Sequence, residues 1–267
     1  FIFARGKYSR ELKGVTPLMN REEIIELNQA RHPFLTGEVV PLDFSLGENY
    51  RGLVITGANA GGKTVVLKTV GLLVLMGMFG LQLPTKKPAK IPVLDHLLVD
   101  IGDQQDLANA LSTFSGHLKN ISHMLEKVSR HTLVLLDEIG SGTEPNEGAS
   151  LAVAILEEMY EKGALVLATT HYGEIKEFAI EHEDFLPAAM AFDQENLQPK
   201  FQLLLGQVGN SQALWIAKKM NIQNNILQKA ASYMKKAPYE TKKKEFKTNQ
   251  EKIAEKNFPQ KISLHRV

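Results

Sequence analysis

Residues 57–64 read GANAGGKT, which fits the pattern G-x-x-x-x-G-K-T. The apolar run GLVIT precedes this stretch, and a long apolar segment follows it. A strand, a glycine-rich loop and a helix in that order are typical of a phosphate-binding loop, whose backbone N–H groups and helix N-terminus attract phosphate oxygens. We therefore expect ATP or ADP to be bound by the following residues: Gly57, Ala58, Asn59, Ala60, Gly61, Gly62, Lys63, Thr64 and the adjoining Val65.

Two side chains of this loop have separate chemical roles in such a site. We expect Lys63 to neutralise the β- and γ-phosphates and so to assist catalysis. The hydroxyl of Thr64 is expected to bind Mg²⁺. A chance match in a glycine-rich loop is the alternative, and the flanking strand and helix patterns argue against it.

A second group of candidates follows the apolar run TLVLL at residues 132–136. This run predicts a buried strand that ends in Asp137 and Glu138, beside the phosphate loop. We expect Asp137 to hold Mg²⁺, usually through a water, and Glu138 to orient or deprotonate the attacking water. The alternative is that both acids only cap the turn that follows.

A third apolar run, ALVLA, ends in Thr169, Thr170 and His171. A polar residue at that edge of a sheet can sense the γ-phosphate, and a neutral imidazole can hydrogen-bond a phosphate oxygen or water. Taken alone, His171 would be read as a packing or turn residue. Beside the other two motifs, it becomes a candidate catalytic residue.

These residues require a sheet whose strands end at one edge. Apolar runs predict strands at 39–44, 52–56, 96–100, 132–136 and 164–170, and intervening patterns predict helices at 62–80, 107–128 and 149–162. Such alternation favours a doubly wound α/β fold with a parallel sheet. Residues 22–30 fit either a helix or an edge strand. The later patterns predict a β-hairpin and then two short helices, at 188–192 with 199–205 and at 211–220 with 224–236.

Composition narrows the setting. The chain has 267 residues, 43% of them hydrophobic, and no cysteine, which excludes disulfides and favours the cytoplasm. The net charge of +1 combines +6 in residues 235–267 with −5 in the rest, so the tail is either a polyanion-binding segment or a solvated linker. The apolar stretch 70–83 is shorter than the roughly 20 residues of a membrane-spanning helix, so we expect a buried helix and no membrane partner.

The ordered motifs resemble the ATPase domain of the MutS superfamily. Besides GANAGGKT, they are STFSGHL at 112–118, LLDEIGSGTEP at 135–145 and ATTHY at 168–172. DIGDQQ at 100–105 and the opening FIFARGKYSREL are similar to the MutS-two branch in particular. The resemblance covers about residues 1–234. It implies a P-loop NTPase of the ABC type, with a mainly parallel central sheet flanked by helices and a small C-terminal helical dimerisation element.

The resemblance also implies a composite site in a homodimer. Two ATPase domains would pack head to tail, and Ser112 would reach the γ-phosphate bound by the other protomer, in trans. Without the resemblance, Ser112 would be read as an ordinary helix N-cap. Asn59 matches a loop asparagine that contacts phosphate or water, and Val40 lies near the expected adenine contact. Trp215 would be either an interface anchor or a core residue.

The implied function is ATP binding and hydrolysis by a protein that acts on DNA, in mismatch repair or recombination control. The nucleotide would switch the dimer, and DNA would be bound by domains outside this chain, with the basic tail as a further candidate. One alternative is that the same ATPase acts on stalled ribosomes. Another is a nucleotide-gated binding module with negligible turnover in isolation. No constellation for a metal-dependent nuclease is apparent.

The sequence suggests four regions. They are an N-terminal segment (1–50), the ATPase core (51–205), the helical dimerisation element (206–236) and a basic, flexible tail (237–267). Three residues depart from the family pattern. Ala58 replaces a proline and Ala60 a larger residue, which would loosen the loop, and Glu144 replaces an aspartate near the dimer interface.

Overall fold

The computed structural model describes residues 2–57, 61–102, 110–193, 195–196, 198–209 and 213–234, without the side chains of residues 110–113, 215 and 234. The chain divides into two compact units, Phe1–Asn210 and Ser211–Val267. The described helices are α1 (Ile2–Glu11), α2 (Lys63–Met78), α3 (Ala110–Lys127), α4 (Pro145–Glu161), α5 (Gly173–Glu181), α6 (Ala213–Lys219) and α7 (Asn224–Met234). The described strands are β1 (Leu18–Asn20), β2 (Ile25–Ala30), β3 (Leu42–Leu46), β4 (Gly52–Thr56), β5 (Lys90–Pro92), β6 (His96–Asp100), β7 (Thr132–Leu136), β8 (Leu165–Thr169), β9 (Phe185–Asp193) and β10 (Gln198–Leu205).

A six-stranded sheet with the order β10-β9-β4-β8-β7-β6 forms the centre of the first unit. The strands from β9 to β6 pair in parallel, and only β10 pairs antiparallel with its neighbour. Every residue of β4, β7 and β8 is buried. Continuous apolar strands of this kind form where helices cover both faces of a parallel sheet, so the fold is mixed α/β as predicted.

The two faces of this sheet carry separate apolar clusters. Because successive side chains of a strand point to opposite faces, Leu53 and Ile55 pack with α2 while Val54 packs on the other face. The second face is covered by buried residues of α3, α4 and α5, among them Ile121, Leu156 and Ile175. The apolar stretch at 70–83 begins inside α2, which is buried along most of its length. No helix in the described part of the chain is long and apolar enough to cross a membrane.

A second sheet, of four strands in the order β1-β5-β2-β3, packs on the α2 side. Within the ambiguous segment at 22–30, residues 25–30 form strand β2. The prediction of an edge strand is wrong, because β2 lies inside the sheet and pairs antiparallel with both β3 and β5. Leu27, Phe44 and Ile91 from this sheet join the same cluster as α2. Strands β1 and β5 were not predicted, because each has three residues and is defined by its distant partner rather than by any local alternation.

Other elements differ from the predicted ones mainly at their ends. Strands β4, β6 and β7 begin and end as predicted. Helix α4 begins at Pro145, four residues early, because the side chain of Glu144 caps it by accepting a hydrogen bond from the backbone N–H of Glu147 at 3.0 Å. The predicted hairpin is present as β9 and β10, and β9 also extends the parallel sheet beside β4. Helix α5 was not predicted.

The second unit is described only between residues 213 and 234. Its helices α6 and α7 follow one another and contact each other. They lie where the sequence predicts two short helices. The side chain of Trp215 lies outside the described atoms, so its role as an interface anchor stays a prediction.

Candidate active site

The three central strands end at the same edge of the large sheet. Strand β8 lies between β4 and β7, and all three run in parallel. Their carboxyl ends lead directly into Gly57, Asp137 and Thr170. Ligands of open α/β sheets bind at this edge, so the strand order places the candidate residues where a ligand can reach them together.

A hydrogen-bonded network joins residues from three elements at this edge. The hydroxyl of Thr64, in the first turn of α2, donates to Oδ2 of Asp137 at 2.7 Å. The hydroxyl of Thr169 donates to Oδ1 of the same carboxylate at 2.6 Å. Thr169 in turn accepts the backbone N–H of Glu138 at 2.8 Å. Both oxygens of Asp137 are therefore held in place from neighbouring elements.

The network includes a residue that sequence reasoning did not assign. The sequence indicated Thr169 only as one of the polar residues at a strand end that can sense the γ-phosphate, yet it is fully buried and contacts both acids of the pair. Its position depends on β8 lying next to β7. No spacing along the chain indicates that neighbour.

The donor atoms fit magnesium. Mg²⁺ takes oxygen ligands and usually keeps several waters or phosphate oxygens, with only one or two carboxylates from the protein. Thr64 and Asp137 offer one hydroxyl and one carboxylate in contact. Among the described residues no group of three or more His, Cys, Asp or Glu side chains could hold a metal ion by itself. The arrangement therefore suits a metal ion that arrives with a phosphate ligand.

Lys63 is a buried cation at the N-terminus of α2. Its side chain is only 2% exposed, and Nζ donates to the carbonyl oxygen of Gly57 at 2.8 Å. Burial lowers the pKa of Lys63, and the nearby charges of Glu138 and Asp137 oppose that shift. Because this ammonium is desolvated and lies next to a helix N-terminus, the site would strongly favour a bound anion.

The backbone of the phosphate loop is described only at its ends. Gly57 and Gly62 have positive φ angles of 128° and 92°, which residues with side chains rarely adopt. These two glycines turn the chain from β4 into α2. The predicted phosphate contacts of Ala58, Asn59 and Ala60 lie outside the described residues.

Glu138 has an unusual backbone. Its φ of 48° lies in the left-handed region, which is uncommon for a residue other than glycine and occurs often at active sites. The N–H bond to Thr169 holds this conformation, and the carbonyl oxygen of Glu138 accepts the N–H of Ser141 at 3.1 Å. Within the described part of the chain the carboxylate makes no hydrogen bond or ion pair.

His171 follows the same edge but does not join the network. Its side chain is exposed, and its ring lies 4.6 Å from that of Tyr172. The preceding residue, Thr170, is tied to β4 by its N–H bond to the carbonyl of Ile55 at 3.1 Å. His171 therefore lies beside the site. Among the contacts of the described residues, it makes no hydrogen bond to Asp137 or Glu138.

A further cation, Lys176, lies close to Lys63. It occupies the first turn of α5 and is half-buried. Burial is the main cause of its lowered pKa, and the ammonium of Lys63 adds to the shift. Sequence reasoning missed this residue because it did not predict α5.

An apolar pocket of about 280 Å³ adjoins the start of α2. Val40 and Val65, both predicted as nucleotide contacts, line it together. Sequence reasoning missed three other lining residues, which come from separate parts of the chain: His32, Met190 and Phe201. Burial is the larger cause of the lowered pKa of His32, followed by the charge of Lys68. A Cβ atom placed on Gly62 would lie 3.2 Å from the ring of Phe201, so the pocket directly adjoins the phosphate loop.

Ser112 belongs to the first turn of α3, and its side chain lies outside the described atoms. The structure therefore leaves its predicted role in trans as a prediction. Glu144, whose role the sequence left open, caps α4. The extra methylene relative to aspartate does not prevent this local contact.

The chain matches the family model described as MutS domain V over residues 53–237. It is 44% identical to Endonuclease MutS2 of Halalkalibacterium halodurans across 88% of this chain and 30% of that protein. It is 45% identical to Endonuclease MutS2 of Listeria monocytogenes across 87% of this chain and 30% of that protein. The chain thus spans about a third of the length of these relatives. The resemblance seen in the motifs is confirmed: this chain belongs to the MutS family, in the MutS2 branch, and carries the family's ATPase domain.

Proposed function

We propose that this domain binds ATP with Mg²⁺ and hydrolyses it at the edge formed by β4, β8 and β7. The observation that carries the proposal is the network in which Thr64 and Thr169 hold the two oxygens of Asp137. The buried Lys63 lies at the start of the same helix as Thr64. Hydrolysis of a phosphoanhydride needs positioning and charge stabilisation more than covalent chemistry, and these residues supply both.

Each residue of the site has a distinct task in this proposal. A bound Mg²⁺ would neutralise charge on the β- and γ-phosphate oxygens. Thr64 and Asp137 would hold the metal ion, and Lys63 would place its positive charge on the phosphates. Glu138 would orient the attacking water and accept its proton. His171 would contact the γ-phosphate or the water when the site is filled, and its position directly after β8 supports this role.

The apolar pocket suits the base of the nucleotide. A purine ring is flat and largely apolar on its faces, and the pocket offers apolar side chains and the ring of Phe201 beside the phosphate loop. We propose that Val40 and Val65 contact the adenine ring. This assignment makes the pocket responsible for base affinity, separately from the phosphate contacts.

Shortening a side chain of the pocket should therefore weaken binding of the complete nucleotide but not of a ligand that has phosphates alone. Val40→Ala removes apolar contact area that contributes about 1 kcal/mol to the free energy of binding, so we expect the Kd for ATP to rise about fivefold. The Kd for inorganic tripolyphosphate should not change, since that ligand has no base. Calorimetric titration with both ligands measures this, with Val93→Ala, an exposed valine outside the pocket, as the control. An equal loss for both ligands would contradict the assignment.

We further propose that two copies of the domain form the complete site. Ser112 of one protomer would contact the γ-phosphate bound by the other, so that ATP closes the dimer and hydrolysis opens it. In the full-length protein, this cycle would act on DNA through regions outside this chain. The word "endonuclease" in the names of the relatives describes those longer proteins, and the present proposal assigns no DNA cleavage to this domain.

The dimer proposal is tested by the dependence of ATPase rate on protein concentration. Turnover per protomer should rise with concentration and level off when dimers are complete. Ser112→Ala should lower turnover, and addition of a partner with intact Ser112 but Lys63→Met should restore part of it. A rate per protomer that is independent of concentration, in a protein that sedimentation shows to be monomeric, would refute the composite site.

A further inference from the structure

We propose that Asp100, His117 and Asn120 form a positioning cluster. The cluster holds the N-terminal half of α3, and with it Ser112, in a fixed position relative to the candidate magnesium site of the same protomer. The inference rests on the proposed function, because it assigns the cluster a task only if Ser112 serves a nucleotide. Within that function it names residues that neither touch the nucleotide nor belong to its binding motifs.

The cluster is built around a buried carboxylate. Asp100 is the last residue of β6, and its side chain is 7% exposed. Its Oδ2 lies 2.7 Å from Nδ1 of His117, and its Oδ1 accepts from Nδ2 of Asn120 at 2.8 Å. His117 and Asn120 are three residues apart on α3, so they lie on the same face of the helix. Both oxygens of Asp100 are therefore used to hold α3.

The same residue is bonded to the candidate magnesium site. The backbone N–H of Asp137 donates to the carbonyl oxygen of Asp100 at 2.9 Å. Asp100 thus contacts the metal-binding acid through its backbone and α3 through its side chain. A small cavity of about 20 Å³, with room for about one water, lies among Asp100, His117, Asp137 and Glu138.

A second contact joins α3 to the loop after β7. A Cβ atom placed on Gly142 would lie 3.4 Å from Cβ of Phe114, so the loop passes directly against the helix. Gly142 has a φ of 93°, which a residue with a side chain would rarely adopt. If a ligand at Asp137 and Glu138 displaced the loop, Gly142 would therefore push against Phe114, which lies two residues after Ser112.

The two halves of α3 are held differently. Its buried apolar side chains, Ile121 and Met124, lie in the C-terminal half and pack on the sheet. In the N-terminal half, the described side chains from Phe114 to Asn120 are half-buried or exposed. Directional hydrogen bonds to Asp100 act together with the partial packing of Leu118 and Phe114 to define the position of this half. About one and a half helical turns separate His117 from Ser112, so a loss of the bond would shift the serine.

Mixed dimers of the full-length protein separate this role from a general loss of stability. In one dimer, a protomer with His117→Ala is paired with a protomer carrying Lys63→Met. At an ATP concentration too low to fill the Lys63→Met site, nucleotide binds to the His117→Ala protomer and meets Ser112 from an intact α3. In the second dimer, Lys63→Met and His117→Ala share one protomer and the partner is wild type. Nucleotide then meets Ser112 from the altered α3.

We expect the second dimer to turn over ATP at least tenfold more slowly per bound nucleotide than the first, with equal ATP affinity in both. His117→Asn should recover most of the rate in the second arrangement, since its amide can donate to Asp100 in place of Nδ1. His123→Ala, at an exposed position on the same helix, is the control and should have no effect in either dimer.

Three results would decide against the positioning role. Equal turnover in the two dimers, whether both are fast or both are slow, would overturn it, as would a failure of His117→Asn to recover activity in a protein with a wild-type melting temperature. Ser112→Ala in place of His117→Ala tests the proposed function independently. If Ser112→Ala is defective only in the second arrangement and His117→Ala is not, the composite site stands and the positioning cluster falls.

Discussion

Glu138→Gln is expected to lower the rate of ATP hydrolysis by about 10²- to 10⁴-fold, the usual contribution of a general base, while ATP still binds. Glutamine keeps the size of the side chain and can still hydrogen-bond a water, but it cannot accept a proton at neutral pH. The loss should therefore appear in kcat and not in the affinity for nucleotide.

The structure gives two reasons for this expectation. The backbone of Glu138 is held in a left-handed conformation by the buried hydroxyl of Thr169, so the side chain is presented from a rigid position. Its carboxylate has no hydrogen bond or ion pair within the described residues, although it lies close enough to affect the pKa of Lys63. A carboxylate that only capped a turn would be bonded to backbone N–H groups instead.

Single-turnover hydrolysis and equilibrium binding of ATP, measured at saturating protein, test the prediction. Glu157→Gln is a matched control, because Glu157 is an exposed glutamate on α4, far along the chain from the acid pair. A Glu138→Gln protein that hydrolyses ATP within threefold of wild type would show that another group accepts the proton.

Lys63→Met is expected to weaken ATP binding by about 10- to 100-fold, the loss that follows removal of a charged hydrogen-bond donor. The melting temperature of the nucleotide-free protein should stay the same or rise. The ammonium of Lys63 is almost fully buried, and burial lowers its pKa, which means that the folded protein without ligand holds the charge at a cost. Methionine of similar length removes that cost.

The combination of a weaker ATP affinity with an undiminished melting temperature makes this prediction specific. If Lys63 had a merely structural role, its replacement would lower the melting temperature. If Lys63 binds phosphate, its replacement lowers the affinity for ATP alone. Lys127→Met, at an exposed position on α3, is the control and should change neither quantity. Thermal unfolding with and without ATP and Mg²⁺ measures both in one experiment, and retained stabilisation by ATP would contradict the assignment of Lys63.

Local patterns in the sequence determined the parts of the site that lie within one strand–loop–helix unit. GANAGGKT after GLVIT placed Lys63 and Thr64 at the start of α2, and TLVLL placed the acid pair at a strand end. These residues are defined by neighbours along the chain. The order of the motifs was also enough to identify the MutS family, since it depends on residue types alone.

Contacts between distant segments could not be predicted in this way. Thr64 and Asp137 are 73 residues apart, and only the strand order β4-β8-β7 brings Thr169 against that pair. The base pocket combines His32 and Phe201 from opposite ends of the unit. Asp100 contacts Asp137 because β6 lies next to β7. In each case the packing of elements that are distant along the chain brings the side chains together, so only the tertiary structure decided which of them share the site.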